Sequence, residues 1–198
     1  MMRSRSFTQF CLALTFSAAL VASLSACVKT EVTTYQRVQG SQVDKAYLKP
    51  GVDFSRYSQL YAYPMEIYYP QGSGAPSKEE LQAIREVFHD AFLSAIGDDY
   101  AIVAKPNAQA LGVRASLVDL LEDRPADKVP QELALLVNSG QLTFLMELTD
   151  SATGEVLARA ADQEKQSASS GAPEGMEAAA ERWAGMFRNF LDNNLSSN

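Results

Sequence analysis

The clearest pattern in the chain is an alternation of apolar and polar residues between positions 141 and 149. The apolar phase consists of Leu142, Phe144, Met146 and Leu148, and the polar phase of Gln141, Thr143, Glu147 and Thr149. Because successive side chains of a strand point to opposite faces, this alternation predicts a β-strand. Residues 150–154 predict a hairpin loop in which Gly154 takes a positive φ, and residues 155–161 predict the partner strand.

Two other segments carry apolar residues at the three- and four-residue spacing of a helix. The first predicted helix begins at Ser77, where Glu80 completes a capping box, and ends at Gly97. Its apolar face consists of Leu81, Ile84, Phe88, Phe92 and Ala95. The second predicted helix spans residues 174–192, and its apolar stripe consists of Met176, Ala180, Trp183, Phe187 and Leu191.

Three further strands are predicted from weaker patterns. Residues 61–69 alternate along one face through Tyr61, Tyr63, Met65, Ile67 and Tyr69. Pro64 within this run indicates an edge position or a bulge, because proline cannot donate to a ladder. Residues 100–104 suit a short buried strand. Residues 111–121 fit both a strand and a helix, and we favour the strand; a short helix is predicted over 130–138.

These elements predict an α+β fold, a mostly antiparallel sheet with packed helices in the order β-α-β-β-(α)-β-β-α. The predicted domain spans residues 57–195 as one unit. Residues 28–56 are polar, rich in Thr, Gln and Ser, and lack periodicity. We therefore predict that residues 27–56 hold a lipidated cysteine followed by a flexible tether.

The first 26 residues predict an export signal. Arg3 and Arg5 precede an apolar run from Phe10 to Ala26, which is the arrangement of a signal peptide. The run ends in a tetrapeptide that resembles the bacterial lipobox, Leu24-Ser25-Ala26-Cys27. That resemblance implies lipidation of Cys27 and removal of residues 1–26. The alternatives are a single-pass anchor and an ordinary secretory signal that leaves Cys27 as a free thiol.

Composition narrows the chemistry that the chain can perform. A net charge of −7 disfavours binding to nucleic acid through its phosphates. The two cysteines are Cys11, which lies in the signal segment, and Cys27, so lipidation would leave no thiol for a disulfide, a nucleophile or a metal. The single histidine, His89, is not accompanied by a Gly-x-Ser-x-Gly nucleophile motif, and it is predicted to lie at the surface or at the boundary of the apolar face of its helix. We expect no enzyme activity, cofactor or metal.

Two groups of residues are candidates for a site. Asp119 and Asp162 each fall on the apolar phase of a predicted strand, where a carboxylate pair would suit acid–base chemistry. We favour the alternative that each strand phase is displaced by one or that each aspartate lies at a strand end in solvent. The second group is Tyr57, Tyr61, Tyr63, Tyr68 and Tyr69. Tyr68 and Tyr69 are the candidate partner-binding residues; the competing interpretation is that the tyrosines fill one side of the core and its rim.

Two further motifs carry a resemblance. They are Phe54-Ser55-Arg56-Tyr57-Ser58 and Leu148-Thr149-Asp150-Ser151-Ala152-Thr153-Gly154-Glu155. With the lipobox, they resemble the proteobacterial lipoproteins catalogued as domain of unknown function 3313. That family has no established activity, so the resemblance implies no catalytic residues. The element order is also similar to that of outer-membrane lipoproteins of the assembly type, such as the curli secretion lipoprotein and the lipoprotein activator of penicillin-binding protein.

A location and a function follow as hypotheses. Val28, rather than Asp, follows Cys27, and by resemblance to enterobacterial sorting this implies the outer membrane of a Gram-negative host, with the domain facing the periplasm. We favour a non-enzymatic module that is anchored to the membrane at Cys27 and binds another envelope protein. The alternative is a periplasmic domain that binds or hydrolyses a small ligand.

Overall fold

The computed structural model describes residues 35–69, 75–119, 130, 136, 142–164 and 176–195. The strands in these residues are β1 (Gln36–Arg37), β2 (Lys45–Leu48), β3 (Gln59–Ala62), β4 (Glu66–Tyr68), β5 (Ala101–Ile102), β6 (Ala110–Asp119), β7 (Leu142–Asp150) and β8 (Val156–Glu164). The helices are α1 (Lys78–Ile96) and α2 (Met176–Asn194), with a short 3-10 helix at Phe54–Arg56. The fold is therefore α+β, as predicted.

The strands form one sheet around the long hairpins β6–β7 and β7–β8. The order is β1-β2-β8-β7-β6-β3-β5, and β4 pairs with a second part of β6. Pairing is antiparallel from β1 through β8 and β7 to β6, whereas β3 and β4 run parallel to β6 and β5 runs parallel to β3. The prediction of a mostly antiparallel sheet is confirmed. Every residue of the central strand β7 is buried.

The predicted tether is wrong for residues 35–56, which belong to the folded domain. β1 pairs with β2, and β2 pairs with β8 over Lys45–Leu48. Phe54 of the 3-10 helix is buried in the core. Strands of two and four residues are too short to show a periodicity. They form here because the edge of β8 supplies backbone hydrogen-bond partners for β2.

The predicted buried strand at residues 100–104 is also corrected. β5 contains two residues and lies at the edge of the sheet, beside β3. Ile102 is 45% exposed, whereas Tyr100, just before the strand, is buried. An apolar run of this length does not distinguish a central strand from an edge strand, because sheet position is set by tertiary pairing.

Pro64 interrupts the predicted strand 61–69, and this interruption reverses which face the side chains occupy. Ala62 pairs with Val113 while Glu66 pairs with Ser116, so the segment from Ala62 to Glu66 contains one residue more than the segment of β6 that it faces. The bulge is confirmed, but the single alternating face is wrong. Tyr61 and Tyr63 lie on one face of the sheet, whereas Met65 and Ile67 pack into the core on the other.

The two helices begin, end and pack much as their sequence patterns predict. The Ser77 hydroxyl accepts from the Glu80 amide at 3.1 Å, the Glu80 carboxylate accepts from the Ser77 amide at 2.7 Å, and Gly97 has a φ of 59°. Phe88 of α1, Phe144 of β7 and Trp183 of α2 stack together, with 4.6 Å between the Phe144 and Trp183 rings. Both helices therefore cover the same face of the sheet, which we call the helix face.

The other predicted elements have mixed outcomes. The strands at 111–121, 142–149 and 155–161 are confirmed as β6, β7 and β8. Within the predicted helix at 130–138, the structure describes only positions 130 and 136. Residues 1–34, which include Cys27 and the predicted signal, lie outside the described residues. No described helix combines the length and the apolar character needed to cross a membrane.

Candidate functional site

The sheet face turned away from α1 and α2, which we call the outer face, is unusually rich in tyrosine and charged side chains. Cross-strand register places one set of residues together on it: Tyr47, Tyr61, Tyr63, Glu66, Tyr68, Arg114, Glu147 and Arg159. They come from six neighbouring strands or their ends, namely β2, β3, β4, β6, β7 and β8. The outer face is therefore a continuous surface that neighbouring strands build together.

Glu147 lies at the centre of the outer face, where β7 is flanked by β6 and β8. The residue is buried, with only 7% of its surface exposed, and an arginine pairs with each of its two carboxylate oxygens. Arg159 Nε donates to one oxygen at 2.8 Å, and Arg114 Nη1 donates to the other at 3.3 Å. A buried carboxylate requires such partners, because an unpaired charge away from water is costly. The three residues therefore form one ion-pair network.

Tyrosine rings flank the two arginines of this network. The Arg114 guanidinium lies 4.8 Å from the Tyr63 ring centre, and that of Arg159 lies 5.2 Å from the Tyr35 ring centre. Tyr61 and Tyr63 contact each other edge to face, with 4.8 Å between ring centres. These contacts hold the guanidinium groups in place, because a cation is attracted to the face of an aromatic ring.

Gly112 allows Tyr63 to lie flat on the sheet. A Cβ at this position would collide with the Thr149 hydroxyl oxygen and lie 3.0 Å from Cε2 of Tyr63. The Thr149 hydroxyl is itself buried and has no hydrogen-bond partner. The close approach of these three residues therefore needs a residue without a side chain on β6.

Tyr68 and Tyr69, the candidate partner-binding residues, are both half-buried. The Tyr68 ring packs beside a small apolar cluster of the outer face that consists of Val118, Leu136, Leu145 and Ala161. Its hydroxyl donates to Glu66, and burial together with this carboxylate raises the pKa of Tyr68 to about 12. The structure thus brings Tyr68 onto the same face as Tyr61 and Tyr63, while Tyr69 follows the end of β4.

The outer face is basic although the whole chain is acidic. Its strands contribute four basic side chains, Arg37, Lys45, Arg114 and Arg159, against the acidic Glu66 and Glu147. The sequence reasoning missed this cluster, apart from placing Glu147 on the polar phase of its strand. The signal was present for Arg114, which occupies the phase opposite the apolar residues of β6, but not for Arg159, which shares its phase with Leu157 and Ala161.

Asp119 and Asp162 do not form a carboxylate pair, since the strand between them is β7. Asp162 nevertheless points into the helix face: it accepts from Trp183 Nε1 at 2.6 Å and from Arg182 Nη2 at 3.1 Å. The favoured interpretation, a displaced phase or a solvent-exposed end, is therefore wrong for Asp162. Asp119 ends β6, and burial raises the pKa of its carboxyl.

The remaining candidate chemistry is sparse. His89 is exposed on α1, as predicted. Within the ranges that the structure describes, no cluster of three or more His, Cys, Asp or Glu side chains could hold a metal ion.

The two motifs that carry the family resemblance meet at Asp150. One carboxylate oxygen accepts from Arg56 Nη2 at 2.9 Å and from the Tyr57 hydroxyl at 3.0 Å. The other accepts from the amides of Ala152 and Thr153 in the hairpin loop, at 3.1 and 3.0 Å. Burial alone would raise the pKa of Asp150, but these hydrogen bonds and Arg56 lower it overall. The contact is structural, because it ties the start of β3 to the β7–β8 turn.

A groove of about 520 Å³ lies on the helix face beside α2. Its floor is made by Ala46, Leu48, Met146, Leu148, Ala158 and Ala160. One wall is α2, through Trp183, Met186, Phe187 and Phe190, and the other wall is the connection between β1 and β2. The segment predicted to be a tether therefore supplies one side of this groove.

The chain belongs to a family without an assigned activity. The sequence model of the family described as "Protein of unknown function (DUF3313)" matches residues 32–187, which confirms the predicted resemblance. Among solved structures, the chain is similar to a PelC dodecamer from Paraburkholderia phytofirmans (12% identity, TM-score 0.38, 77% of this chain and 91% of that chain). It is also similar to a DUF4136 family protein from Bacteroides thetaiotaomicron (10% identity, TM-score 0.45, 79% and 97%). No curated protein matches it.

Proposed function

We propose that this protein is a lipoprotein of the outer membrane, anchored at Cys27, whose periplasmic domain binds another envelope protein and has no enzyme activity. The observation that supports this most is the outer face, where tyrosine rings surround the Arg114–Glu147–Arg159 network. Tyrosine and arginine are the residue types that most often dominate binding energy at protein interfaces. Tyrosine buries a large area there at a low cost in side-chain entropy.

The charge of the outer face indicates the kind of partner. Two guanidinium groups share the single Glu147 carboxylate, and Arg37 and Lys45 add further positive charge at the same face. A basic face favours an acidic surface on the partner and disfavours direct contact between the outer faces of two copies of this chain. The partner segment that we propose is therefore acidic and presents Asp or Glu to Arg114 and Arg159.

Crosslinking in cells followed by mass spectrometry tests the docking surface. We expect one reproducible envelope complex with the native chain and its loss in the Tyr61→Ala/Tyr63→Ala variant. Tyr68→Ala is expected to weaken it. The matched control is Leu93→Ala, because Leu93 is 42% exposed on α1, away from the outer face. A complex that survives in the double variant but disappears in the control would refute this surface.

Salt dependence tests the charge argument independently. Binding of the captured partner should weaken as ionic strength rises, because exposed charge pairs are screened beyond about 10 Å at 0.1 M salt. The Arg37→Gln variant should flatten this dependence without changing the fold, since Arg37 lies exposed on β1. A complex that is indifferent to salt would exclude an acidic partner.

Lipidation has its own test. The native chain should incorporate labelled palmitate and fractionate with the outer membrane, whereas Cys27→Ser should do neither. Equal labelling of the two chains would overturn the anchor at Cys27. A native chain that is labelled but fractionates with the inner membrane would overturn the proposed location alone.

A further inference from the structure

The groove beside α2 has an apolar surface that the fold covers only in part, and it lies on the other side of the sheet from the outer face. Four of its lining residues pack against the core of the helix face and yet remain only partly buried, namely Leu48, Ala160, Met186 and Phe190. Apolar side chains left partly in water along one groove favour an apolar occupant, because binding removes that surface from water.

Small side chains on the floor leave room for a chain-shaped ligand. Ala46 of β2 pairs with Ala160 of β8, and Leu48 pairs with Ala158. The space between these residues and α2 has a volume of about 520 Å³, which is in the range of small-molecule sites. An alkyl chain of eight to ten carbons can therefore lie on the floor.

The aromatic wall of the groove is already fixed by contacts within the fold. The Trp183 ring stacks on Phe144 with 4.6 Å between ring centres, and its Nε1 donates to Asp162 at 2.6 Å. Phe190 contacts Phe54 edge to face, with 5.1 Å between ring centres. Because both rings are held in place, a ligand that contacts them needs to order few side chains.

The groove offers no unbalanced charge to an ionised ligand. Asp162 and Arg159 are its two ionised lining residues. Asp162 accepts from Trp183 Nε1 at 2.6 Å and from Arg182 Nη2 at 3.1 Å. The Arg159 guanidinium donates to Glu147 at 2.8 Å on the outer face, so its charge is directed away from the groove. An ionised head group would therefore lose water here without gaining a counter-ion.

The polar rim of the groove instead consists of uncharged hydrogen-bonding side chains. They are Ser41, Gln42, Asn189, Asn193 and Asn194. Asn193 Nδ2 donates to the Asn189 carbonyl at 2.6 Å. Asn194 Nδ2 donates to the Phe190 carbonyl at 2.8 Å. Since these bonds engage the amide nitrogens, the Oδ1 atoms of Asn193 and Asn194 can accept from a ligand. Neutral acceptors at the rim are complementary to hydroxyl groups.

We propose that the groove binds a neutral single-chain amphiphile whose head group carries hydroxyls. The alkyl chain lies on the alanine floor against Trp183, Phe187 and Phe190. The hydroxyls donate to the amide oxygens of Asn193 and Asn194 at the rim.

Trp183 provides a direct readout, because it is the only tryptophan in the chain and it lines the groove. The full chain is titrated with octyl glucoside, octanoate and octylammonium, each below its micelle concentration, and with glucose alone. Trp183 fluorescence and binding heat are recorded. We expect saturable one-to-one binding of octyl glucoside, at least fivefold tighter than that of either ion, and no response to glucose. Absence of saturation, equal affinity for an ion, or a response to glucose alone would overturn the proposal.

Variants separate the chain site from the head site. Ala160→Leu fills the floor and should weaken octyl glucoside binding at least tenfold, whereas Ala178→Leu, exposed on α2, should leave it unchanged. Met186→Ala shortens the wall and should weaken binding about threefold; it replaces Ala160→Leu if circular dichroism shows that the latter is unfolded. Unaltered binding in the folded groove variants would overturn the site.

The rim has its own variant, Asn193→Ala/Asn194→Ala, in which both exposed amides are removed. It should reduce the preference for octyl glucoside over octylammonium at least threefold and leave octylammonium binding unchanged. An unchanged preference would refute the head site. Dimerisation of the native chain that Ala160→Leu abolishes, without any probe binding, would overturn the proposal and assign the groove to a second copy.

Discussion

The two faces of the sheet differ in the kind of side-chain contact that buries them. On the helix face, the rings of Phe88, Phe144 and Trp183 all contact one another, and these contacts are apolar. On the outer face, the central residue of β7 is Glu147, held by two arginines. Two threonine hydroxyls of β7, those of Thr143 and Thr149, are also buried on the outer face without hydrogen-bond partners.

This difference separates what stabilises the fold from what the fold presents. Apolar side chains removed from water stabilise the folded state in proportion to the area buried. A buried ion pair recovers little more than the cost of its own desolvation, and an unpaired hydroxyl adds a further cost. We therefore expect the helix face to supply most of the free energy of unfolding and the outer face to supply binding specificity.

The largest expected effect is on the helix face. Trp183→Ala should lower the free energy of unfolding by about 3–5 kcal/mol, because it opens a cavity in the aromatic stack and removes a donor to Asp162. Urea denaturation followed by circular dichroism measures this. Trp183→Phe is the matched control and should cost less. A loss below about 1 kcal/mol in Trp183→Ala would contradict the comparison.

The next effect concerns Asp150, at the end of β7. Asp150→Ala should cost about 3 kcal/mol, because Arg56, Tyr57 and the hairpin amides lose a shared acceptor. Since folding lowers the pKa of Asp150, its carboxylate stabilises the fold above its unfolded pKa of about 3.9. That contribution is lost as pH falls through the lower folded value. The difference in stability between the native chain and Asp150→Asn should therefore shrink below about pH 4.

A smaller effect is expected when the ion-pair network of the outer face is broken. Glu147→Leu should destabilise by about 2 kcal/mol, because it leaves two partly buried guanidinium groups without a counter-ion. The triple variant Arg114→Met/Glu147→Leu/Arg159→Met should recover most of this loss in urea denaturation, yet lose the envelope complex. If the triple variant were the least stable of the set, the outer face would be a stabilising core in its own right.

The smallest expected effect has the opposite sign. Thr149→Val should raise the free energy of unfolding by about 1 kcal/mol, because it removes a buried hydroxyl that has no partner while keeping the shape of the side chain. Thermal unfolding measures it, and Thr153→Val is the control, since the Thr153 hydroxyl donates to Asp150 and its loss should destabilise. Destabilisation by Thr149→Val would mean that the hydroxyl has an acceptor in the folded protein.

Sequence patterns were sufficient where structure depends on neighbours along the chain. The capping box at Ser77, the stop at Gly97, the hairpin at Gly154 and the alternation of β7 all act within a few residues. They were insufficient for β1, β2 and β5, which depend on a partner strand far along the chain. The phase change at Pro64 shows the same limit: proline indicated a bulge, but the pairing with β6 decided which tyrosines share a face.

The candidate site follows the same division. The tyrosines stood out in the sequence by number and spacing, whereas the partners of Glu147 and Asp162 did not. Arg114 and Glu147 are 33 positions apart, and Trp183 and Asp162 are 21 apart. Only the order of β6, β7 and β8 brings the first pair together, and only the packing of α2 on β8 brings the second.

The amino-acid sequence by itself determined the α+β class, the family, both helices and the β7–β8 hairpin, because these rest on periodicity and on turn and capping interactions of short range. The tertiary structure alone decided that residues 35–56 belong to the folded domain and supply two strands of the sheet, that the outer face is basic, and that a groove opens beside α2. The physical reason is that sheet pairing and side-chain packing are long-range contacts. Their energy depends on which distant residues meet, and no local pattern encodes that.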